Sequence, residues 1–207
     1  MFLLKILQII STDEKMRWIV VGIAMRQVVA PVLREFVKHR MDFHYSKEDA
    51  YWSALAYDEV NANPWLRKLN FQNINNNYQL YGRNIHQYNY NINSSVDLAK
   101  LYLPYYLAQI SAFDELLDMT AILFFLGFTN YFPEPDPLPI KMCANDVREN
   151  IINRLEHLDF TEWSATFFLH CFAKLRAIVV SLGLTAVVEA KALHQLRDLE
   201  RKGIPRI

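Results

Sequence analysis

Apolar residues in this chain recur at three- and four-residue intervals over long runs, and glycine, which the tightest β-hairpin turns need, is scarce. There are 5 glycines, and none follows Asn or Asp, so no two-residue hairpin signal exists. A period near 3.6, carried by helix formers such as Leu, Ala, Glu and Lys, is the pattern of amphipathic helices. The expected fold class is all-α, a multi-helix bundle. With 207 residues, 52% of them hydrophobic, the chain has the material for one well-filled domain.

The first run covers 12–40. Ser11 and Thr12 are good N-cap types, and Glu14 completes a Ser-x-x-Glu capping box. Trp18, Val21, Gly22, Met25, Val28 and Val29 then mark one face, and Val32, Leu33, Phe36 and Val37 continue it. Pro31 removes a donor within this run and predicts a kink or a restart. A short helix is expected over 47–60, ended by Asn63-Pro64. The Asn-rich stretch 73–93 reads as an ordered insertion loop, because Asn competes with helical hydrogen bonds while the interleaved Tyr and Ile can pack. Helical runs follow at 94–110 and 111–127, the second closing at Gly127. Four prolines in "FPEPDPLPI", 132–140, predict a stiff, non-helical connection. Helices are then expected over 143–157 and from Thr161 to Leu182, with Gly183 as the stop. Residues 185–207 form an amphipathic tail or linker, with Val188, Leu193, Leu196 and Leu199 on one side.

Lys+Arg and Asp+Glu are equal at 22 each, so no bulk field holds a polyanion, and a nucleic-acid role requires a local basic patch. Cys143 and Cys171 are too few and too far apart for a disulfide framework or a zinc site, and two packed thiols suit a reducing compartment. The apolar start "MFLLKILQII" lacks a following small-residue cleavage site, and "MTAILFFLGF" is about half the length of a membrane span. The expected setting is cytoplasmic, with no membrane, no cofactor and no metal.

The stretch "VRENIINRLEHLDFTEW", 147–163, concentrates polar chemistry in an otherwise apolar chain. At about 100° per residue, Val147, Ile151, Leu155 and Leu158 form one stripe, expected to be buried. Asn150, Asn153, Arg154 and His157 form another, and Asn153 can touch His157 four residues on. Ile152 stands apart from both. The blander readings are an interhelical hydrogen bond for His157, favoured by the helix C-terminal dipole, and solvated pairs of Arg148 and Arg154 with Glu149 and Glu156. Trp18 and Trp163 read as core anchors, and Phe167, Phe168, Phe172 and Tyr102 as packing. A Cys171–His157 nucleophile pair is disfavoured, since Cys171 sits in a Phe-rich run.

Val147, Arg148, Asn150, Ile151, Asn153, His157, Asp159, Phe160, Glu162 and Trp163 resemble the HEPN domain (higher eukaryotes and prokaryotes nucleotide-binding). The similar form is the divergent one found in the DAZ-interacting zinc-finger ubiquitin ligase. "RWIVVGIAMRQVVAPVLREFV" (17–37), "SSVDLAKLYLPYYLAQISAFDELLDMTAIL" (94–123) and "FFLHCFAKLRAIVVSLGL" (167–184) resemble its first, central and closing helices, so the likeness covers 11–184. It implies a metal-independent endoribonuclease lineage in which an Arg and a His, often paired across a dimer, act on RNA. On this chain the implied catalytic residues are His157 and Asn153, and the implied RNA-binding residues are Arg148, Arg154 and Asn150. His would serve as general acid or base and Arg would steady phosphate charge. Ile152 stands where the family has Arg, and Leu158 where it has Cys. Losing one preorganised donor costs about 10²–10³ in rate.

Three functions follow. The leading expectation is an RNA-associated or protein-interaction module with a degenerate ribonuclease motif, forming a homodimer through 147–163. The second is an active endoribonuclease in which Arg148 or Arg154 replaces the missing Arg. The third is an adaptor without RNA contact, in innate-immunity or ubiquitin-related signalling, joined to other domains of a larger polypeptide or complex.

Overall fold

The computed structural model describes residues 12–80, 84–128 and 137–203. Among them there are helices and turns and no strand, so the fold is all-α. The chain divides into two compact units, one formed by 1–33 with 130–207 and the other by 34–129. Ser11, the apolar start and residues 132–136 of the Pro-rich stretch lie outside the described residues.

In the first unit, α1 is Asp13–Ala24, with Thr12 as N-cap accepting from the Lys15 N–H. A widened π-helical turn, Met25–Val29, leads into α2, Ala30–Lys47. Here the Ala30 N–H reaches the Met25 carbonyl, five residues back. Pro31 has no N–H to give, and its ring would crowd the carbonyl four residues back in a regular helix. The expected interruption thus takes the form of one wide turn inside a continuous helix. By length and composition Asp13–Lys47 could cross a membrane, but half of its most apolar window is buried within the protein, as in a core helix.

Further along this unit come α7 (Pro137–Val147), a second π-helical turn (Arg148–Ile152), α8 (Asn153–His157), α9 (Ala165–Ser181) and α10 (Ala186–Lys202). α9 is the central element and packs against α7, α10 and α1. It buries Phe168, Cys171, Phe172, Leu175, Ile178 and Val179. Lys174 pairs with Asp146 of α7, and Arg176 with Glu200 of α10 at 2.7 Å. Gly183 ends α9 at φ 60°, a left-handed conformation that costs glycine nothing. Gly203 lies so close to the Phe168 ring that a Cβ there would fall 2.2 Å from it.

The second unit contains most of α2 and α3 (Asp49–Ser53), α4 (Tyr57–Ala62), α5 (Ser95–Lys100) and α6 (Met119–Phe128), joined by 3₁₀ turns. Its core includes Trp52, Leu66, Ile74, Ile92, Leu98 and Phe125. The Asn-rich stretch is held by its own amides. Asn73 Nδ2 donates to the Lys100 and Leu103 carbonyls at 2.8 and 2.7 Å, and Asn75 Nδ2 to those of Asn89 and Asn91 at 3.0 and 2.7 Å. Asn77, 2% exposed, donates to the Phe71 and Asn89 carbonyls and accepts from the Asn89 N–H. Asn75 and Asn76 occupy positive φ, which Asn tolerates better than most residues.

Several boundaries differ from expectation. The 47–60 helix is two short helices separated at Ala54–Ala56. The run from 94 is helical only to Lys100, ahead of Pro104, and the run from 111 becomes helical only at Met119, where Asp118 caps the Ala121 N–H at 2.8 Å. The end of the Pro-rich stretch is not a stiff spacer. Pro137 and Pro139 occupy the first turn of α7, where backbone N–H groups have no helical partner in any case. The helix expected from Thr161 starts at Ala165, because Ser164 caps the Phe167 N–H and a 3₁₀ turn occupies Phe160–Glu162. On α10 the buried stripe is Ala192, Leu196 and Leu199, and Val188 stands outside it, exposed.

Replacing Asn77 by Ala strands two carbonyls and one N–H in a buried site. Urea denaturation should show a loss of about 1–3 kcal/mol, while Asn84→Ala, at an exposed 3₁₀ cap, should cost less than half as much.

Candidate functional site

The 147–163 stretch begins as the last residue of α7 and passes through the π turn Arg148–Ile152 into α8. Across that turn the Asn153 N–H bonds to the Arg148 carbonyl. A π turn takes up one more residue than an α turn, so the helical faces shift in register. Val147, Ile151 and Ile152 are all buried, with Ile152 at 8% exposure. A regular wheel leaves Ile152 without a partner; the wide turn brings it into the core beside Ile151. The expected buried stripe changes beyond that point. Leu155 is only half-buried, and Leu158 is 58% exposed.

Asn153 and His157 both face solvent. Among the described residues neither side chain makes a hydrogen bond, so the expected Asn153–His157 contact is not made, nor is an interhelical bond from His157. Asn150 is turned back along its own helix. Its Nδ2 donates to Asp146 Oδ1 at 2.7 Å and to the Asp146 carbonyl at 3.2 Å. Since Asp146 also pairs with Lys174, Asn150 belongs to the seam between α7 and α9.

The two arginines differ. Arg148 pairs with Glu149 at 3.5 Å, as expected. Arg154 does not pair with Glu156. Its guanidinium stacks over the Phe167 ring, 4.4 Å from the centroid, and its Nε lies 3.9 Å from Glu162. A half-exposed cation over a ring is worth about 0.5–1 kcal/mol, which biases this side chain toward α9.

The corner after α8 is tied to α1. Leu158 ends α8 at φ 54°, a left-handed position usually given to Gly or Asn. Asp159 then accepts from the Thr161 hydroxyl at 2.7 Å and the Thr161 N–H at 3.0 Å. These bonds, the hydroxyl's first, hold the Asp159 carboxyl below its ordinary value. Trp18 donates its indole N–H to the Leu155 carbonyl at 3.2 Å and meets Phe160 edge-on at 5.5 Å. Trp18 is thus a half-buried strap, while Trp163 is the fully buried anchor.

Arg17 escaped the sequence reading. It is 7% exposed, donates to the Trp163 carbonyl at 3.2 Å, and lies 3.6 and 3.8 Å from Asp13 and Glu14. Its signal was available: carboxylates three and four residues before an Arg on one helix can neutralise it as it turns inward.

Cys171 is fully buried, and burial pushes its thiol up to about 12. A thiol held neutral in this way is no nucleophile at neutral pH, and His157 stands exposed. Among the described residues no group of three or more His, Cys, Asp or Glu is placed to hold a metal ion. No family model matches the chain, and no curated protein or solved structure matches it.

Ile152→Arg should destabilise the protein by about 3 kcal/mol, the scale of an unpaired charge in a core, read from denaturant midpoints. The Asp159 bonds contribute stability above the ordinary carboxylate value, and that stability is lost as pH falls through the lowered folded value. In an NMR titration the Asp159 midpoint should lie below 3.8, and Thr161→Val should move it back toward 3.8.

Proposed function

We propose that this protein is a HEPN-like, RNA-associated or protein-interaction module whose ribonuclease motif is degenerate, and that it self-associates through 147–163. The observation that carries the reading is the burial of Ile152. The resemblance assigns that position to the guanidinium that works beside the His. Here it is an aliphatic core position, while Asn153 and His157 face outward. The imidazole therefore has no cationic partner from that site, and Arg154 is drawn to Phe167 and Glu162. An exposed imidazole and amide can still bind a phosphate or a polar protein surface, but transition-state charge goes unneutralised.

Leu158 supports the self-association part. A bulky residue in the left-handed region is unfavourable for its own chain, and its side chain is given to solvent. Local stability favours Gly or Asn at this position. An exposed Leu at a position with that preference fits a surface that is covered in a complex.

Pure protein incubated with single-stranded RNA in EDTA should leave the RNA intact. Cleavage that disappears in His157→Ala would instead establish the active endoribonuclease, with Arg148 or Arg154 supplying the charge. Sedimentation equilibrium should give a dimer at micromolar concentration. Leu158→Asn should shift it to monomer while raising the monomer's stability by about 0.5–1 kcal/mol. A wild type that stays monomeric at high micromolar concentration would count against self-association through 147–163.

A further inference from the structure

The second unit contains an open cavity of about 410 Å³ beneath the Asn-rich stretch. It falls within the roughly 300–1,000 Å³ typical of small-molecule sites. None of its lining residues belongs to 147–163. Its floor and walls are apolar and aromatic, including Leu66, Phe71, Tyr88 and Tyr90. Tyr90 and Phe71 meet at 4.9 Å between centroids, Tyr88 and Tyr90 at 5.9 Å, so the wall is a fixed cluster of rings. Tyr90 is locked by its hydroxyl, which donates to the Ile85 carbonyl at 2.9 Å.

The polar groups at this cavity are of two kinds. Asn70 is already held, since its Nδ2 donates to the Leu103 carbonyl at 2.9 Å. Asn61, Gln72 and Arg67 are not: among the described residues their side chains make no hydrogen bond and no ion pair. No carboxylate is among the lining residues described. An aromatic wall, two uncommitted amides and one uncommitted guanidinium thus share one concavity.

We propose that this cavity binds a nucleotide, with the base against the tyrosine cluster and its phosphate on Arg67. A flat heterocycle matches ring faces, and stacking of this kind tolerates any base. Each amide offers both a donor and an acceptor, the pair needed for the edge of a base. The guanidinium is a fork that fits phosphate oxygens, and among the described lining residues there is no carboxylate to oppose an anion. Free nucleotides and unpaired residues of single-stranded RNA present the same chemistry.

The test is calorimetric titration of the intact protein with AMP, adenosine and hexa-adenylate, repeated on Arg67→Ala and Gln72→Ala. Both substitutions are at sites with no side-chain hydrogen bond to lose, and unchanged circular dichroism melts confirm folding. AMP should bind, and adenosine should bind about tenfold more weakly, the loss expected for one charge-assisted contact. Arg67→Ala should erase that difference and leave adenosine unchanged, whereas Gln72→Ala should weaken both ligands. Hexa-adenylate binding more tightly than AMP assigns the site to single-stranded RNA; equal affinity assigns it to free nucleotide. No AMP binding at millimolar concentration, or AMP binding indifferent to Arg67→Ala and Gln72→Ala, overturns the proposal. So does saturation by a proline-rich peptide with no response to AMP. RNA cleavage in EDTA, which bears on His157, is independent of each of these outcomes.

Discussion

One widened turn, Arg148–Ile152, decides what the polar stretch of this chain can do. In a regular helix Ile152 lies away from the buried stripe and the next turn of that stripe goes through Leu155 to Leu158. By taking up an extra residue the π turn places Ile151 and Ile152 side by side in the core and changes the faces downstream. Leu158 goes to the surface, and Asn153 and His157 stay there. Position 152 is part of the packing, so an Arg placed there would do more than add one charged group: its guanidinium would have to be buried.

Two tethers keep that arrangement in place. Trp18 holds the Leu155 carbonyl and rests against Phe160; Arg17 holds the Trp163 carbonyl from inside the unit. Both come from adjacent residues of α1, so one stretch of the first helix fixes both ends of the corner between α8 and α9. Arg17 can be buried there because Asp13 and Glu14, on its own helix, supply the opposite charge before the corner is met. A hydrogen bond to charge is stronger than a neutral one, and it satisfies a carbonyl that the 3₁₀ turn leaves outside any helix.

The fold class was legible because it rests on period and on turn chemistry, and both are written locally. Gly183 as a stop, Thr12 as a cap and the disturbance at Pro31 were legible for the same reason. The register of 147–163 was not. A helical wheel assumes a constant angle per residue, and a π turn breaks that assumption with no characteristic residue; nothing in "RENII" distinguishes it from an α turn. The false starts at 111 and 161 came from good cap residues that compete with better ones at Asp118 and Ser164. The prolines of 137–139 were misread by type instead of position, since a first turn has no use for their missing donors. Arg154 found Phe167 across the corner, a contact that only the tertiary fold creates. The cavity of the second unit likewise joins residues from 57 to 90 through turns built by asparagine amides, and no motif spacing announces it.

The inward Ile152 and the outward His157 are opposite claims about neighbouring side chains, and one experiment reads both. In protein with labelled Ile methyls and His rings, a soluble paramagnetic relaxation agent should leave the Ile152 δ1 methyl as sharp as that of Ile151 and broaden the His157 ring signals strongly. A broadened Ile152 methyl together with a protected His157 ring would mean that the helix keeps its regular register and that the imidazole sits in a closed pocket, which contradicts a register set by the wide turn.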